Sequence, residues 1–310
     1  MHPKITWPNN KKFAFTIFDD TDRSNLKDSK QIYDFLNNLG FKTTRSAWVN
    51  KSKLKNNSEG VTCEDQTYLD WLLEIKKKGF EIGYHNTSFG SSEREEIKEG
   101  LKKFKKFFGE NAIVMANHSE NKENIYWGSD RLSGSRKLIY NFLTFFKRYG
   151  YYLGHDKTSK FFWGDLCKEN IKYVRNFVFS DINTLKNCPF MPYRDNTKPF
   201  VNYWFASSEG NNMETFNKCI SDKNQARLEN EGGACIMYTH FADGFSKNGK
   251  ISDSFKEQME KLSKREGWFV TVSTLLEFLN EENKKHEINY KERSALEWKW
   301  LLDKLILGST

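Results

Sequence analysis

Phe13-Ala-Phe-Thr-Ile-Phe-Asp-Asp-Thr-Asp22 is the stretch on which the fold turns. Its apolar first six residues fit a buried strand. The strand then runs directly into Asp19, Asp20 and Asp22, where the chain must turn into a loop. The same pattern recurs downstream. Phe80-Glu-Ile-Gly-Tyr84 leads into His85, Ala112-Ile-Val-Met-Ala116 into Asn117 and His118, and Gly233-Ala-Cys-Ile-Met-Tyr-Thr239 into His240.

Amphipathic stretches separate these runs. Residues 29–39 place Ile32, Phe35, Leu36 and Leu39 on one helical face, and Gly40 closes the helix. A helix is predicted over 64–78, with Lys76 to Lys78 complementing its dipole. Another follows Ser92, which forms a capping box with Glu95, and carries Ile97, Leu101, Phe104 and Phe108. Further helices are expected over 135–148, 252–265 and from a Ser273 cap to 279; strands are expected over 42–49 and 268–272. Strand-then-helix alternation argues an α/β protein with a largely parallel sheet. Residues 151–223 are less regular and read as a large insertion or loop elements. Residues 281–310 read as a C-terminal helical extension, with Leu296, Trp300, Leu301 and Leu305 packing on a body formed by 1–280. With no repeat and no low-complexity linker, one domain is expected.

Composition narrows the function. Among 310 residues, 26 Phe, 13 Tyr and 9 Trp supply ample core, which excludes a disordered chain. No apolar run approaches the roughly 18–20 residues of a membrane span. The first twelve residues hold no apolar leader, so a cytoplasmic location is expected. Five cysteines, odd in number and without a CxxC pair, argue for reduced thiols. The net charge of +8 resides largely in lysine runs at helix ends and on helix faces, such as Lys102-Lys103 and Lys105-Lys106. That is a solvated surface, and no nucleic-acid motif accompanies it.

In a parallel sheet, the C-terminal strand ends share one face, where active sites form. Of six histidines, His85, His118 and His240 fall there, with the acidic cluster; His2, His155 and His286 do not. Imidazole nitrogen and carboxylate oxygen are good zinc ligands. A bound divalent ion polarises a carbonyl and acidifies water, a spare carboxylate takes a proton, and a histidine opposite returns one.

These motifs resemble those of polysaccharide deacetylases, metal-dependent carbohydrate esterases. Thr16-Ile-Phe-Asp-Asp20 is similar to the family's Thr-Phe-Asp-Asp motif. Gly79-Phe-Glu-Ile-Gly-Tyr-His-Asn-Thr-Ser88 is similar to its second, and Ile236-Met-Tyr-Thr-His240 to its last. The resemblance spans nearly the whole chain. It implies an irregular (β/α)7-type barrel with the C-terminal helix appended. It implies Asp19 as general base, Asp20 and His85 as ligands of one divalent ion, most simply zinc, and His240 as the acid. The substrate implied is an acetylated amino sugar or glycan precursor in surface-polysaccharide synthesis. The family's second ligand histidine would stand at position 89, where this chain has Phe89; its Arg-Pro motif has no clear match either. His118 is the expected replacement ligand and Asp22 a lesser one. A site without metal, in a carbohydrate-binding protein, is the alternative. Asp20-Thr-Asp22 also fits the opening of the haloacid dehalogenase phosphatase pattern, which leaves the three histidines unexplained. Arg23 is a candidate for holding an anionic part of the substrate, Trp127 and Trp163 are candidate sugar-stacking rings, and Asp243 is a candidate to orient His240.

Overall fold

The computed structural model describes residues 5–53 and 60–307; His2 and the last three residues of the extension lie outside them. The opening run forms β1 (Phe13–Asp19), buried along its whole length. Helix α1 (Leu26–Asn38) follows, its first turn capped by the Asn25 side chain, which accepts from the Asp28 N–H. Then come β2 (Thr44–Ala47), α2 (Gln66–Lys77), β3 (Glu81–Tyr84), α3 (Arg94–Phe108) and β4 (Val114–Met115). The start of α3 lies one residue beyond the expected cap: the Glu96 carboxylate accepts the Glu93 N–H at 2.9 Å. Helix α4 (Gly134–Leu143) ends short of the expected 148.

Residues 151–223 are not an insertion. After α5 (Gly164–Asn170) they supply β5 (Tyr173–Phe179), α6 (Thr184–Asn187), β6 (Tyr203–Glu209) and α7 (Met213–Cys219), so two of the barrel strands lie here. Polar residues obscure them: β5 carries Arg175 and Asn176, and β6 carries Ser207 and Ser208, all buried. Then follow α8 (Asp222–Glu231), β7 (Ala234–Thr239), a small hairpin of β8 (Ser246–Lys247) and β9 (Lys250–Ile251), α9 (Asp253–Ser263), β10 (Gly267–Phe269), α10 (Val272–Glu282) and α11 (Tyr290–Leu307). Thr271, not Ser273, caps α10.

Strands β1 to β7 pair in parallel in sequence order, and β7 pairs back with β1, closing a seven-strand barrel. The barrel is irregular where β1 and β2 diverge. Strand β2 pairs only at Phe18 and Asp19, and β10 fills the lower gap against Phe13 to Phe15. Helix α11 covers β5 and α4: buried Trp300 packs 5.2 Å from Phe177 and 5.7 Å from Tyr140, and Glu297 pairs with Arg136 at 2.6 Å. All five cysteines are buried and unpaired. No helix among the described residues is long and apolar enough to cross a membrane.

Candidate metal centre

Closure of the barrel brings the strand ends around one cavity of about 1250 Å³. Asp20 and Asp22 arrive from β1, His85 from β3, His118 from β4 and His240 from β7, all lining it. The chain turns sharply behind two of them: Arg23 and Asn86 each have φ of 57°, the left-handed region in which a non-glycine residue is uncommon.

Asp22 is the centre of the constellation. Its Oδ2 lies 3.2 Å from His85 Nε2 and 3.2 Å from His240 Nε2, and its Oδ1 lies 2.9 Å from His118 Nε2. The other nitrogen of each ring faces an oxygen that can only accept. His85 Nδ1 is 3.0 Å from the Ala116 carbonyl, His118 Nδ1 is 2.7 Å from Asn121 Oδ1, and His240 Nδ1 is 3.0 Å from the Asn211 carbonyl. The Asn121 assignment is itself secured, because its Nδ2 donates to Ser88 O, Gly90 O and Glu123 Oε1. Each Nδ1 therefore carries the proton, and in the neutral ring each Nε2 directs a lone pair at Asp22. Three lone pairs converging on a carboxylate repel unless a cation stands among them or the rings are protonated. One divalent ion supplies the charge that two such protons would. The donor set fits a metal, and second-shell carbonyls of this kind commonly orient ligand histidines. Asp20, Asp22 and His85 offer ligand atoms within 4.8 Å of one another.

Without a cation among the lone pairs, the His118 and His240 rings are drawn toward protonation instead. Burial opposes charge on Asp22, but the three imidazoles outweigh it and hold the carboxyl well below its usual range. Burial opposes protonation of His240, yet its bond to Asp22 prevails and raises it to about 9. His118 is shifted upward by the same competition. An aromatic wall backs the histidines: Trp48 stacks on His85 with ring centres 5.6 Å apart, and Phe89 lies 4.8 Å from the His118 ring.

Asp20 is gripped by Arg175, with Nη1–Oδ1 at 3.0 Å and Nη2–Oδ2 at 2.5 Å. Sequence reasoning missed Arg175, although a charged residue inside an otherwise apolar run was a usable signal. Asp19 is not brought to the cavity. It is fully buried below it, accepting from Arg45, the Tyr33 hydroxyl (3.1 Å) and the Phe241 N–H (3.0 Å). Trp163 is also buried behind the wall, its Nε1 donating to the Glu123 carbonyl at 2.6 Å. Trp127 does line the cavity. Arg23 lines its rim but is already held by Asp243, with bonds of 3.0 and 2.5 Å. Asp243 Oδ2 is 3.8 Å from His240 Nδ1, farther than the Asn211 carbonyl that orients the ring.

No protein-family model matches the chain, and no curated protein matches it. Solved structures do. The chain is similar to PuuE allantoinase, with a TM-score of 0.54 at 11% identity over 90% of this chain and 94% of that one. A candidate polysaccharide deacetylase from Mycobacterium smegmatis gives 0.49 at 9% identity, over 90% and 94%. The peptidoglycan deacetylase PdaC from Bacillus subtilis gives 0.44 at 15%, over 89% and 94%. At such identities the likeness is one of fold: this is a closed α/β barrel similar to that of PuuE allantoinase, with Asp20, Asp22 and His85 as a candidate metal group at its mouth.

Proposed function

We propose that this chain is a metal-dependent hydrolase that removes an acyl group, acetyl in the simplest case, from an amino sugar or glycan precursor in surface-polysaccharide synthesis. The observation that carries the reading is the convergence of three Nδ1-protonated histidines on Asp22, beside a second carboxylate. Asp22, His85 and His118 would hold the ion, zinc being suited to this donor set. His118 thereby takes the place that Phe89 leaves empty. When bound, the ion supplies Lewis acidity toward the acyl carbonyl and toward water.

The chain's own groups do the rest. Arg175 fixes Asp20 so that its remaining lone pairs face the cavity, where they take the proton of the attacking water. The base is thus Asp20 rather than Asp19, which has no path to the cavity. His240, oriented by Asn211, returns a proton to the departing amine or alcohol. Trp127 bounds the space for the sugar. A phosphatase using Asp20 as nucleophile would leave the three imidazoles without a role.

The test is elemental analysis joined to acetate release from N-acetylated sugars. One divalent ion per chain is expected, lost in His118→Ala and retained in Asp20→Asn and His240→Ala, with acetate release lost in all three. A full-length protein that binds no ion after zinc is supplied overturns the reading.

A further inference from the structure

Four arginines of the described residues are buried: Arg45, Arg131, Arg136 and Arg175. Three have a carboxylate partner, namely Asp19, Glu297 and Asp20. Arg131 has none among the described residues. It is only 4% exposed; its bonds to the carbonyls of Gly128 (3.4 Å) and Asn176 (3.3 Å) are long, and its other hydrogen-bonding neighbour is the neutral phenol of Tyr140. Its guanidinium lies over Trp127, 4.1 Å from the ring centre, and over Trp300 at 4.5 Å. A guanidinium does not lose its proton, so this is a buried cation facing aromatic rings, a costly arrangement without an anion.

A second cation stands nearby, with Glu209 and Asp303 as its own acidic neighbours. Lys304 shares the Trp300 ring, 5.3 Å from its centre. Arg131, Lys304, Trp127 and Arg175 all line the one cavity that holds Asp20 and Asp22. Asn176, whose carbonyl Arg131 reaches, follows Arg175 directly in β5, and the pairing of β5 with β6 slips between Arg175 and Val178. Such a slip re-aims the chain beside a site. Arg131 therefore stands next to the proposed reaction centre and on its wall.

We propose that Arg131 is an oxyanion subsite: its planar fork receives a phosphate or carboxylate carried by the substrate while the acyl group lies at Asp20 and Asp22. The substrate class is then an anionic sugar, either phosphate-linked or a uronic acid, rather than a neutral one. The placement of the acyl group rests on the hydrolase reading above; the anion site itself does not. Trp127 in turn becomes the shelf for Arg131, not only a sugar-stacking ring.

Calorimetry on the zinc-loaded full-length protein tests this with N-acetylglucosamine, its 1-phosphate, glucuronate and inorganic phosphate. At least one anionic probe should bind about tenfold or more tighter than the neutral sugar. Arg131→Met should abolish that preference, and Arg131→Lys, which keeps the charge and serves as the folding control, should restore part of it. Preference for the phosphate probes or for glucuronate identifies the source. Asp22→Asn, which removes the proposed ion ligand, should retain the preference; its loss there would place the anion on the ion and overturn the subsite. Equal binding of neutral and anionic probes also overturns it. If the preference stands but no acetate is released from any sugar, the subsite holds and the hydrolase reading falls.

Discussion

Two buried arginine–aspartate pairs stand back to back at the end of β1, and they differ in what is left over. In the Asp19–Arg45 pair every group is spent. Arg45 also donates to the Tyr68 hydroxyl (3.0 Å) and Ser24 Oγ (2.8 Å), and it is ringed by Tyr33, Tyr68 and Trp71. In the Asp20–Arg175 pair the two ionic bonds are made, but Arg175 Nε has no partner among the described residues and both side chains reach the cavity wall. The residue types are the same and the carboxylates are consecutive. What separates them is strand alternation, which sends neighbouring side chains to opposite sides. A sealed pair is a structural element; a pair open to a cavity can do chemistry.

The largest expected effect tests the open pair. Asp20→Asn should lower the rate of acetate release by about 10²- to 10⁴-fold, the usual contribution of a general base. Ion content should be unchanged. A rate within a few fold of the parent would move the base elsewhere and erase the contrast. The sealed pair should respond in stability instead. Asp19→Ala leaves Arg45 buried without its acid, which costs about 3–5 kcal/mol. Urea unfolding reads this, and the fraction still folded should keep its turnover. A small loss of stability with a large loss of turnover would invert the assignment.

A third buried carboxyl sharpens the contrast because it has no arginine. Glu123 Oε1 accepts from Asn121 and Asn86, at 2.6 and 3.3 Å, while its buried Oε2 has no close hydrogen-bond partner among the described residues. Burial raises its pKa from 4.5 to about 7, against these hydrogen bonds. The folded state therefore binds this proton more tightly than the unfolded state. Its contribution is fully present below pH 4.5 and is lost as pH rises through about 7, a total of about 3 kcal/mol. Unfolding measured at pH 5 and pH 8 should show this slope in the parent protein and lack it in Glu123→Gln. An unchanged slope would mean that Glu123 is ionised in the fold.

Helices α1 to α3, α9 and α10, and the three strands that lead into His85, His118 and His240, were legible because their polar and apolar residues follow simple periods; α5 to α8 were not. Strands β5 and β6 were not either, because buried polar residues break their apolar runs. Arg175 does so to line the cavity, whereas Asn176 donates to the Tyr193 hydroxyl and Ser208 bonds to Thr184 and the Ile182 carbonyl. The strand-end rule located Asp20, Asp22, His85, His118 and His240, which the structure gathers at one cavity. It could not divide roles among consecutive aspartates. That depends on which side of β1 each one faces, and on Arg45 and Arg175, which are 130 residues apart in the chain and meet β1 from different strands. Trp163 was misplaced for a similar reason: a tryptophan beside glycine in the sequence carries no mark of whether its ring faces in or out.

The smallest expected effect bears on His118, the proposed ligand whose role rests most on geometry. Asn121 Oδ1 accepts its Nδ1 proton and so fixes which nitrogen points at Asp22. Removing such an orienting partner typically weakens metal binding by about 10- to 100-fold. Asn121→Ala should therefore shift a zinc titration by that amount and recover turnover at saturating zinc. The recovery is the discriminating part. Asn121 Nδ2 also ties the loop to Ser88, Gly90 and Glu123, so a merely structural loss would lower stability without moving the zinc titration. An unshifted zinc titration would leave Asp20, Asp22 and His85 as the ion's holders. Asp20 would then bind the ion from within its arginine pair, and the open pair would act as ligand rather than base.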